Sequence, residues 1–146
     1  MQLDLTDIDD NEEATRALRD WCHQLGYRTK DADGDLSFVI IGARRWIIGI
    51  KANRNSNHRL LATCIFGTNQ GYMGKEEWHK FCNDINARLN IGKFCLNEAD
   101  MFEIQFSLYF LESLNPRLFR NFLSQIDEAL AHVLSEYREV LSSALE

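Results

Sequence analysis

Proline is nearly absent from this sequence, which has one proline and eight scattered glycines among 146 residues. It has no Ser/Gly-rich stretch and no internal repeat, so nothing in the composition marks a linker between domains. With 45% apolar residues, a chain of this length can bury a core without disulfide staples. We therefore expect one domain over residues 1–146, in which residues 1–10 form a poorly ordered acidic N-terminus.

Long apolar runs are missing as well. No segment has the length of continuous apolar sequence that crossing a bilayer requires, and the opening MQLDLTDIDDNEE lacks the basic start and apolar run of a signal peptide. The four cysteines include no C-x-x-C pair, so in a reducing compartment they are most simply small buried hydrophobes. We expect a cytoplasmic protein that does not bind membranes.

Positive charge is in deficit, because the chain has 16 Lys and Arg residues but 22 Asp and Glu residues, which gives a formal net charge of −6. Neutralising a phosphate backbone needs a basic surface, and here the Lys and Arg residues are scattered along the chain. The composition therefore argues against nucleic acid as a partner.

Hydrophobic periodicity predicts an alternation of helices and strands. Apolar residues recur at helical spacing before Gly26 and again after Lys75, and Pro116 suits the first turn of a long amphipathic helix. The predicted order is α-β-β-β-α-β-β-α: a helix over 11–26, strands over 36–42, 45–52 and 59–67, a helix over 75–90, strands over 93–98 and 101–112, and a helix over 116–141. This order fits an α+β domain with three helices packed on a five-stranded, mainly antiparallel sheet.

The strand MFEIQFSLYFLE has the cleanest alternation in the chain. Phe102, Ile104 and Phe106 lie on one side, and Glu103 and Gln105 lie on the other. Burying a large apolar side chain is worth roughly 2 kcal/mol. We therefore expect the phenylalanine-rich side to pack against the third helix or the first.

The first predicted hairpin is apolar on both sides. Each strand alternates between two apolar sets, which are Phe38 and Ile40 against Val39 and Ile41 in the first strand, and Trp46, Ile48 and Ile50 against Ile47 in the second. One side must therefore meet something other than the main core. Either a helix of this chain covers it, for example the second helix, or another chain does.

Two glycine-containing loops resemble ion or phosphate sites but lack essential positions. DADGD at 31–35 begins like a calcium loop, yet Leu36 and Gly42 stand where such a loop needs a glycine and a glutamate. GTNQGYMGK at 67–75 resembles a phosphate loop, but Asn69 stands where the pattern needs its first glycine. We interpret the first as a turn and the second as a connecting loop.

His79 and Cys82 lie one helical turn apart and could form half of a metal site, but the chain has no matching second pair. A surface histidine beside a core cysteine is the simpler interpretation. No cysteine, serine or histidine stands in a recognisable catalytic pattern. The sequence thus predicts no catalytic residue, cofactor site or metal site, and we do not expect an enzyme.

The second half of the chain, FCNDINARLNIGKFCLNEADMFEIQFSLYFLE followed by a long amphipathic helix, resembles the YbjN-like family of bacterial sensory transduction regulators, which share the fold of type III secretion chaperones. The matching features are a helix with Asn83, Asn86 and Asn90, then Lys93 in a strand, an acidic turn and a long strand. In the first half, LGY and DGDLSFVIIGARRWIIGI are similar to the family's helix end, Gly-aromatic step and hairpin. The resemblance covers about residues 11–140.

The resemblance implies a non-catalytic module that binds a protein or peptide client, in bacterial stress or sensory regulation. Secretion chaperones of this fold hold extended client segments along apolar grooves and sheet edges, commonly as homodimers. The implied partner-binding residues are on the first hairpin: Trp46, Ile48 and Ile50, or their opposite-face neighbours Val39 and Ile41.

The sequence allows two other functions. It also leaves undecided whether the client is acidic or basic. One alternative is a dedicated type III secretion chaperone for an effector, and the other is a small-ligand or nucleotide-binding domain that uses the 67–74 loop. An acidic surface would suit clients with basic segments. However, four arginines place positive charge around the hairpin: Arg44, Arg45, Arg54 and Arg59.

Overall fold

A computed structural model of the chain describes residues 11–32, 38–41, 47–53, 59–90, 92–110 and 114–145. Its elements are α1 Asn11–Gln24, β1 Arg28–Lys30, β2 Phe38–Ile41, β3 Ile47–Asn53, β4 Arg59–Phe66, α2 Lys75–Arg88, β5 Lys93–Leu96, β6 Phe102–Tyr109, α3 Pro116–Glu136 and α4 Arg138–Ala144. The predictions for residues 1–10, for the turn at 33–35 and for Trp46 lie outside the described residues.

The six strands form one sheet in the order β1-β2-β3-β4-β6-β5. The pairs β1–β2, β2–β3 and β5–β6 are antiparallel. The predicted α+β class is confirmed, but there are six strands rather than five and four helices rather than three. None of the described helices has the length and apolar character that crossing a membrane requires.

The chain groups into two compact units, Met1–Ala62 with Ser107–Asp127, and Thr63–Phe106 with Glu128–Glu146. Each unit is therefore assembled from two separate stretches of sequence. The elements β4, β6 and α3 contribute residues to both units. That residues 1–146 act as a single domain stays a prediction.

Helix α1 ends where the sequence predicts, at a glycine. Gly26 has φ +88°, a left-handed conformation that suits glycine. The N–H of Tyr27 bonds to the carbonyl of Cys22 at 2.9 Å, and the N–H of Gly26 bonds to the carbonyl of His23 at 3.1 Å. This pair of bonds is a Schellman motif, which satisfies the last carbonyls of α1 and reverses the chain into β1.

Strand β1 is not among the strands predicted from the sequence, because three residues are too few to show alternation. It is held through Thr29, whose Oγ1 accepts a hydrogen bond from Arg19 Nε at 3.0 Å and lies 3.0 Å from His23 Nε2. Arg19 also forms an ion pair with Asp31, with Nη1 and Oδ1 2.6 Å apart. Side chains of α1 thus hold this short segment beside β2, where Thr29 pairs with Ile40.

In the first unit, α1 contacts β1, β2 and β3 and covers one face of the β2–β3 hairpin. The residues buried on that face are Phe38, Ile40, Ile48 and Ile50. The buried residues of α1 are Ala14, Leu18, Trp21 and Cys22. The ring of Trp21 also lies 5.9 Å from that of Phe119 in α3. Helix α1 therefore covers one of the two apolar sides of the hairpin.

In the second unit, the start of β6 packs against α2. The ring centroid of Phe102 lies 5.2 Å from that of Trp78 and 6.3 Å from that of Phe81, both in α2. It also lies 6.2 Å from the ring of Phe94 in β5. Phe102 thus packs against α2, a contact that the sequence analysis did not suggest, because only four residues separate α2 from β5 and the helix lies against that strand.

The predicted helix over 116–141 is divided at Tyr137, whose backbone has φ −107° and ψ 27°. The ring of Tyr137 packs edge-on against Phe81 of α2, with centroids 5.6 Å apart. Helix α4 then reaches the loop after β4, where the N–H of Asn69 bonds to the carbonyl of Ala144 at 2.7 Å. Apolar periodicity continues through Tyr137, so the sequence pattern could not indicate the break.

The outer edge of β5 is closed by an asparagine of α2. Asn86 Nδ2 donates to the carbonyl of Phe94 at 2.8 Å, and its Oδ1 accepts the N–H of the same residue at 2.9 Å. The carboxamide therefore binds the strand as a further strand would. Since an unpaired edge invites pairing with other chains, Asn86 protects this one.

Replacing Asn86 with alanine removes both hydrogen bonds and leaves two backbone groups of Phe94 without their partner. We expect the free energy of unfolding to fall by about 1–2 kcal/mol. Asn83→Ala, at an exposed position of the same helix, is the matched control and should change it by less than about 0.5 kcal/mol. Urea titration followed by circular dichroism measures both, and equal midpoints for the two variants would contradict the assignment.

Candidate functional site

The register of the β2–β3 hairpin sorts the predicted partner-binding residues between the two faces of the sheet. Phe38 pairs with Ile50 and Ile40 pairs with Ile48. Ile48 and Ile50 are both 0% exposed, beneath α1. These two predicted anchors are therefore core residues in this structure, because their own chain already covers the face to which they belong.

The opposite face of the hairpin carries the second apolar set. Val39 pairs with Gly49, and Ile41 pairs with Ile47. Successive side chains of a strand point to opposite faces, so these residues lie on the side turned away from α1. Val39 and Ile41 are half-buried, and Ile47 is 57% exposed. Of the predicted site residues, Val39 and Ile41 are thus the ones placed at a surface.

The neighbouring strands extend this surface. Arg28 and Lys30 of β1 pair with Ile41 and Val39, so they share a face with them. By alternation, Lys51 of β3 lies on the same face as Ile47. We call this surface the open face; it consists of Arg28, Lys30, Val39, Ile41, Ile47, Lys51, Arg59, Leu61 and Tyr109.

Strand β4 and the end of β6 complete the open face. Leu60 is buried, whereas Arg59 and Leu61 are half-buried on the other side of β4. Arg59 donates from Nη2 and Nε to Ser107 Oγ, at 2.9 and 3.1 Å. Its guanidinium carbon lies 5.6 Å from the ring centroid of Tyr109, which is 67% exposed. These contacts fix Arg59 in place, since a cation above an aromatic ring is attracted to its face.

The sequence analysis named Arg59 among the cations around the hairpin, but it did not include Arg28, Lys30, Lys51 or Tyr109. Placing Arg28 and Lys30 requires recognition of β1, which is too short to show a pattern. Placing Arg59 beside Tyr109 requires the pairing of two strands that are distant in sequence. The one available signal was the alternation of β4 and β6, which puts Arg59 and Tyr109 opposite the buried residues of their strands.

The 67–74 loop, the alternative ligand site, uses its own backbone donors. Asn69 accepts hydrogen bonds of 3.1–3.3 Å from three N–H groups, those of Gly71, Tyr72 and Met73. The N–H of Gly74, at the start of α2, points to the carboxylate of Glu77 at 3.5 Å. A phosphate cradle needs such donors free and no carboxylate beside them. This geometry disfavours a nucleotide at the loop.

The cysteines are free thiols, and two of them have strongly raised pKa values. Burial raises the pKa of Cys22 to about 12, and that of Cys82 also to about 12. Burial, with a contribution from the Glu103 carboxylate, raises the pKa of Cys95. These thiols stay protonated at neutral pH, whereas a nucleophilic or metal-binding cysteine acts as the thiolate.

The histidine and cysteine of α2 gain no further metal ligands from the part of the chain that the structure describes. His79 is exposed and Cys82 is buried, so the two side chains differ in environment although they are one turn apart. Within the described ranges, no three His, Cys, Asp or Glu residues lie close enough together to hold a metal ion.

Comparison with known proteins identifies the family of this chain. The model of the YbjN family, described as "Putative bacterial sensory transduction regulator", matches residues 15–139. The chain belongs to the YbjN family. No curated protein matches it by sequence.

Six chains of solved structures have a similar fold, among them chains of three proteins or complexes. YbjN from E. coli, described as "a putative transcription regulator", is 16% identical with a TM-score of 0.69, over 90% of this chain and 94% of that chain. A chain of the HopA1–SchA chaperone–effector complex is 15% identical with a TM-score of 0.55, over 84% and 93%. An uncharacterized protein from Methanothermobacter thermautotrophicus is 14% identical with a TM-score of 0.60, over 86% and 97%. The secretion-chaperone-like fold expected for a YbjN-like protein is confirmed.

Adjacent isoleucines of β3 should respond very differently to truncation. Ile48→Ala leaves a cavity beneath α1, so we expect the free energy of unfolding to fall by about 3 kcal/mol. Ile47→Ala, on the open face, should lower it by less than about 1 kcal/mol, because little buried contact is lost. Urea titration measures both, and similar losses for the two variants would mean that the open face is covered.

The thiols should differ in reactivity for the same physical reason. At pH 8 we expect Ellman's reagent to modify Cys95 first, because it is half-buried, whereas Cys22 and Cys82 should react only after unfolding in urea. Cys95→Ser is the control and should abolish the fast phase. Rapid modification of Cys22 in the folded protein would contradict the environment assigned to it.

Proposed function

We propose that this chain is a non-catalytic module that binds a segment of a partner protein on its open face, in the cytoplasm, as part of bacterial stress or sensory regulation. The observation that carries the proposal is the apolar part of that face. Ile47 is 57% exposed beside Val39 and Ile41, on the side of the hairpin that α1 leaves uncovered. Contiguous exposed apolar surface of this kind is typical of interaction sites.

The chemistry of the apolar part suits binding. Val39, Ile41 and Ile47 are β-branched, and their side chains have few alternative rotamers on a strand. Such residues lose little conformational freedom when a partner covers them, so more of the burial energy remains as affinity. A rigid sheet also holds the three side chains at fixed spacing.

Four further observations support a non-catalytic role in the cytoplasm. Raised pKa values keep Cys22 and Cys82 protonated, and the donors of the 67–74 loop are engaged within the chain. All four cysteines are free thiols, as is usual in a reducing compartment. The description of the family as a sensory regulator is consistent with binding rather than catalysis.

A dedicated secretion chaperone is the second candidate. It is favoured by the likeness to a chain of the HopA1–SchA chaperone–effector complex. The two functions differ in the partner: a dedicated chaperone would co-purify with one effector through a disordered N-terminal segment of that effector, whereas a regulator would bind a segment of a signalling protein. Both use the same kind of surface on this chain.

The proposal is tested by selecting peptides of about 16 residues, roughly four helical turns if helical, from a random display library on the immobilised full chain. We expect selected peptides to bind the wild-type chain in solution and to lose about tenfold or more in affinity on the double substitution Val39→Thr and Ile47→Thr. Fluorescence anisotropy with labelled peptides gives the affinities.

Tyr72 provides the matched control, because it is 49% exposed and apolar but lies in the 67–74 loop. Tyr72→Ser should leave peptide affinity unchanged. Circular dichroism and thermal unfolding establish that every variant is folded. If no peptide is selected, or if binding is equally strong to the double variant, the proposed function is wrong.

A further inference from the structure

The open face is positively charged although the chain as a whole carries a formal net charge of −6. Arg28 and Lys30 are exposed on β1, and Lys51 and Arg59 are half-buried on β3 and β4. The described residues of β1–β4 and of 107–109 contain no Asp or Glu. The nearest acidic residue after β1, Asp31, is paired with Arg19 of α1. The charge of this face is therefore opposite to that of the protein.

Three of the four cations lie at the borders of an apolar strip, and Lys51 lies on its middle strand, β3. The strip runs over β2, β3 and β4 and comprises Val39, Ile41, Ile47 and Leu61. Arg28 and Lys30 border it on β1, and Arg59 borders it on the side of Tyr109. Neighbouring strands are about 4.8 Å apart, so three strands make a strip about 10 Å wide. An α-helix with its side chains has a diameter of about 10–12 Å.

We propose that the segment bound by the open face is an amphipathic α-helix whose apolar stripe is flanked by Asp and Glu side chains. This inference rests on the proposed function and names its partner class. A helix on this face would mirror α1 on the other, since sheets are commonly covered by helices. The apolar strip would supply most of the affinity, and the cations would fix the orientation and exclude basic helices.

An extended peptide fits this pattern less well. In an extended chain successive side chains alternate between two sides, so a peptide with alternating acidic and apolar residues would turn only one kind toward the sheet. A helix presents a central apolar stripe and both of its polar borders to the same surface. The expectation of basic clients, which came from the net charge of the whole chain, does not hold for this face.

The test uses the peptides selected on the wild-type chain. We expect Asp and Glu to be enriched beside apolar residues spaced at i, i+3, i+4 and i+7, and circular dichroism to show that bound peptides are helical. The double reversal Arg28→Glu and Lys30→Glu should weaken their binding about tenfold. Raising NaCl from about 0.02 M to about 0.5 M should also weaken it, because salt screens exposed charges.

A matched control separates this effect from a change in total charge. Arg117 and Arg120 are exposed on α3, a helix whose Phe119 packs against Trp21 of α1, and neither belongs to the open face. The double variant Arg117→Glu and Arg120→Glu changes the net charge by the same amount and should leave peptide affinity within about twofold. Equal losses in the two double variants would overturn the proposal.

The outcomes distinguish this inference from the proposed function. Selected peptides that require Ile47 but show no acidic enrichment would overturn the acidic helix and leave the proposed function standing. Peptides whose binding does not depend on Ile47 would overturn both.

Two other outcomes would assign a different occupant to the open face. Binding of a labelled single-stranded DNA that is lost on reversal of Arg28 and Lys30, with no peptide selected, would mean that the face binds phosphate instead. A dimer that Ile47→Asp dissociates, measured by light scattering, would assign the face to a second copy.

Discussion

The structure depends on the burial of one side of the β2–β3 hairpin beneath α1. Phe38, Ile40, Ile48 and Ile50 are all completely buried, which is worth on the order of 8 kcal/mol at roughly 2 kcal/mol each. That is comparable to the whole free energy of unfolding of a typical domain, about 5–15 kcal/mol. A slip of the register by one residue would exchange the buried and exposed sets, so this burial also fixes which residues form the open face.

The contacts that hold β1 also decide which face of the sheet its charged residues occupy. Thr29 faces α1, where it is bound by Arg19 and His23, so alternation must turn Arg28 and Lys30 to the other side. The Schellman end of α1 at Gly26 brings the chain back within reach for these bonds. The end of α1, the two contacts of Thr29 and the alternation of side chains along β1 thus place two cations on the open face.

Most of the elements, the α+β class and the family could be predicted from the sequence because they depend on local periodicity and on spacing along the chain. The choice between the two apolar sides of the hairpin could not, since Ile47 and Ile48 are chemically identical and only the position of α1 separates them. The binding of Asn86 to the outer edge of β5 could not be predicted from the sequence either. An exposed helical asparagine carries no sign of the strand it binds, although the resemblance had marked that residue.

Protection of an edge strand offers a competing explanation for the cations of the open face. β1 is at the end of the sheet, and charged side chains on an edge discourage pairing with other chains. This accounts for Arg28 and Lys30.

Edge protection does not account for Lys51 and Arg59, which belong to β3 and β4 inside the sheet, where both edges of each strand are already paired. Nor does it explain why Arg59 is fixed by Ser107 and Tyr109 rather than left to move freely in solvent, since a repelling charge needs no fixed position. A positioned cation beside an exposed aromatic ring is an arrangement suited to recognition, so edge protection explains the cations of β1 and the proposed binding accounts for those of β3 and β4.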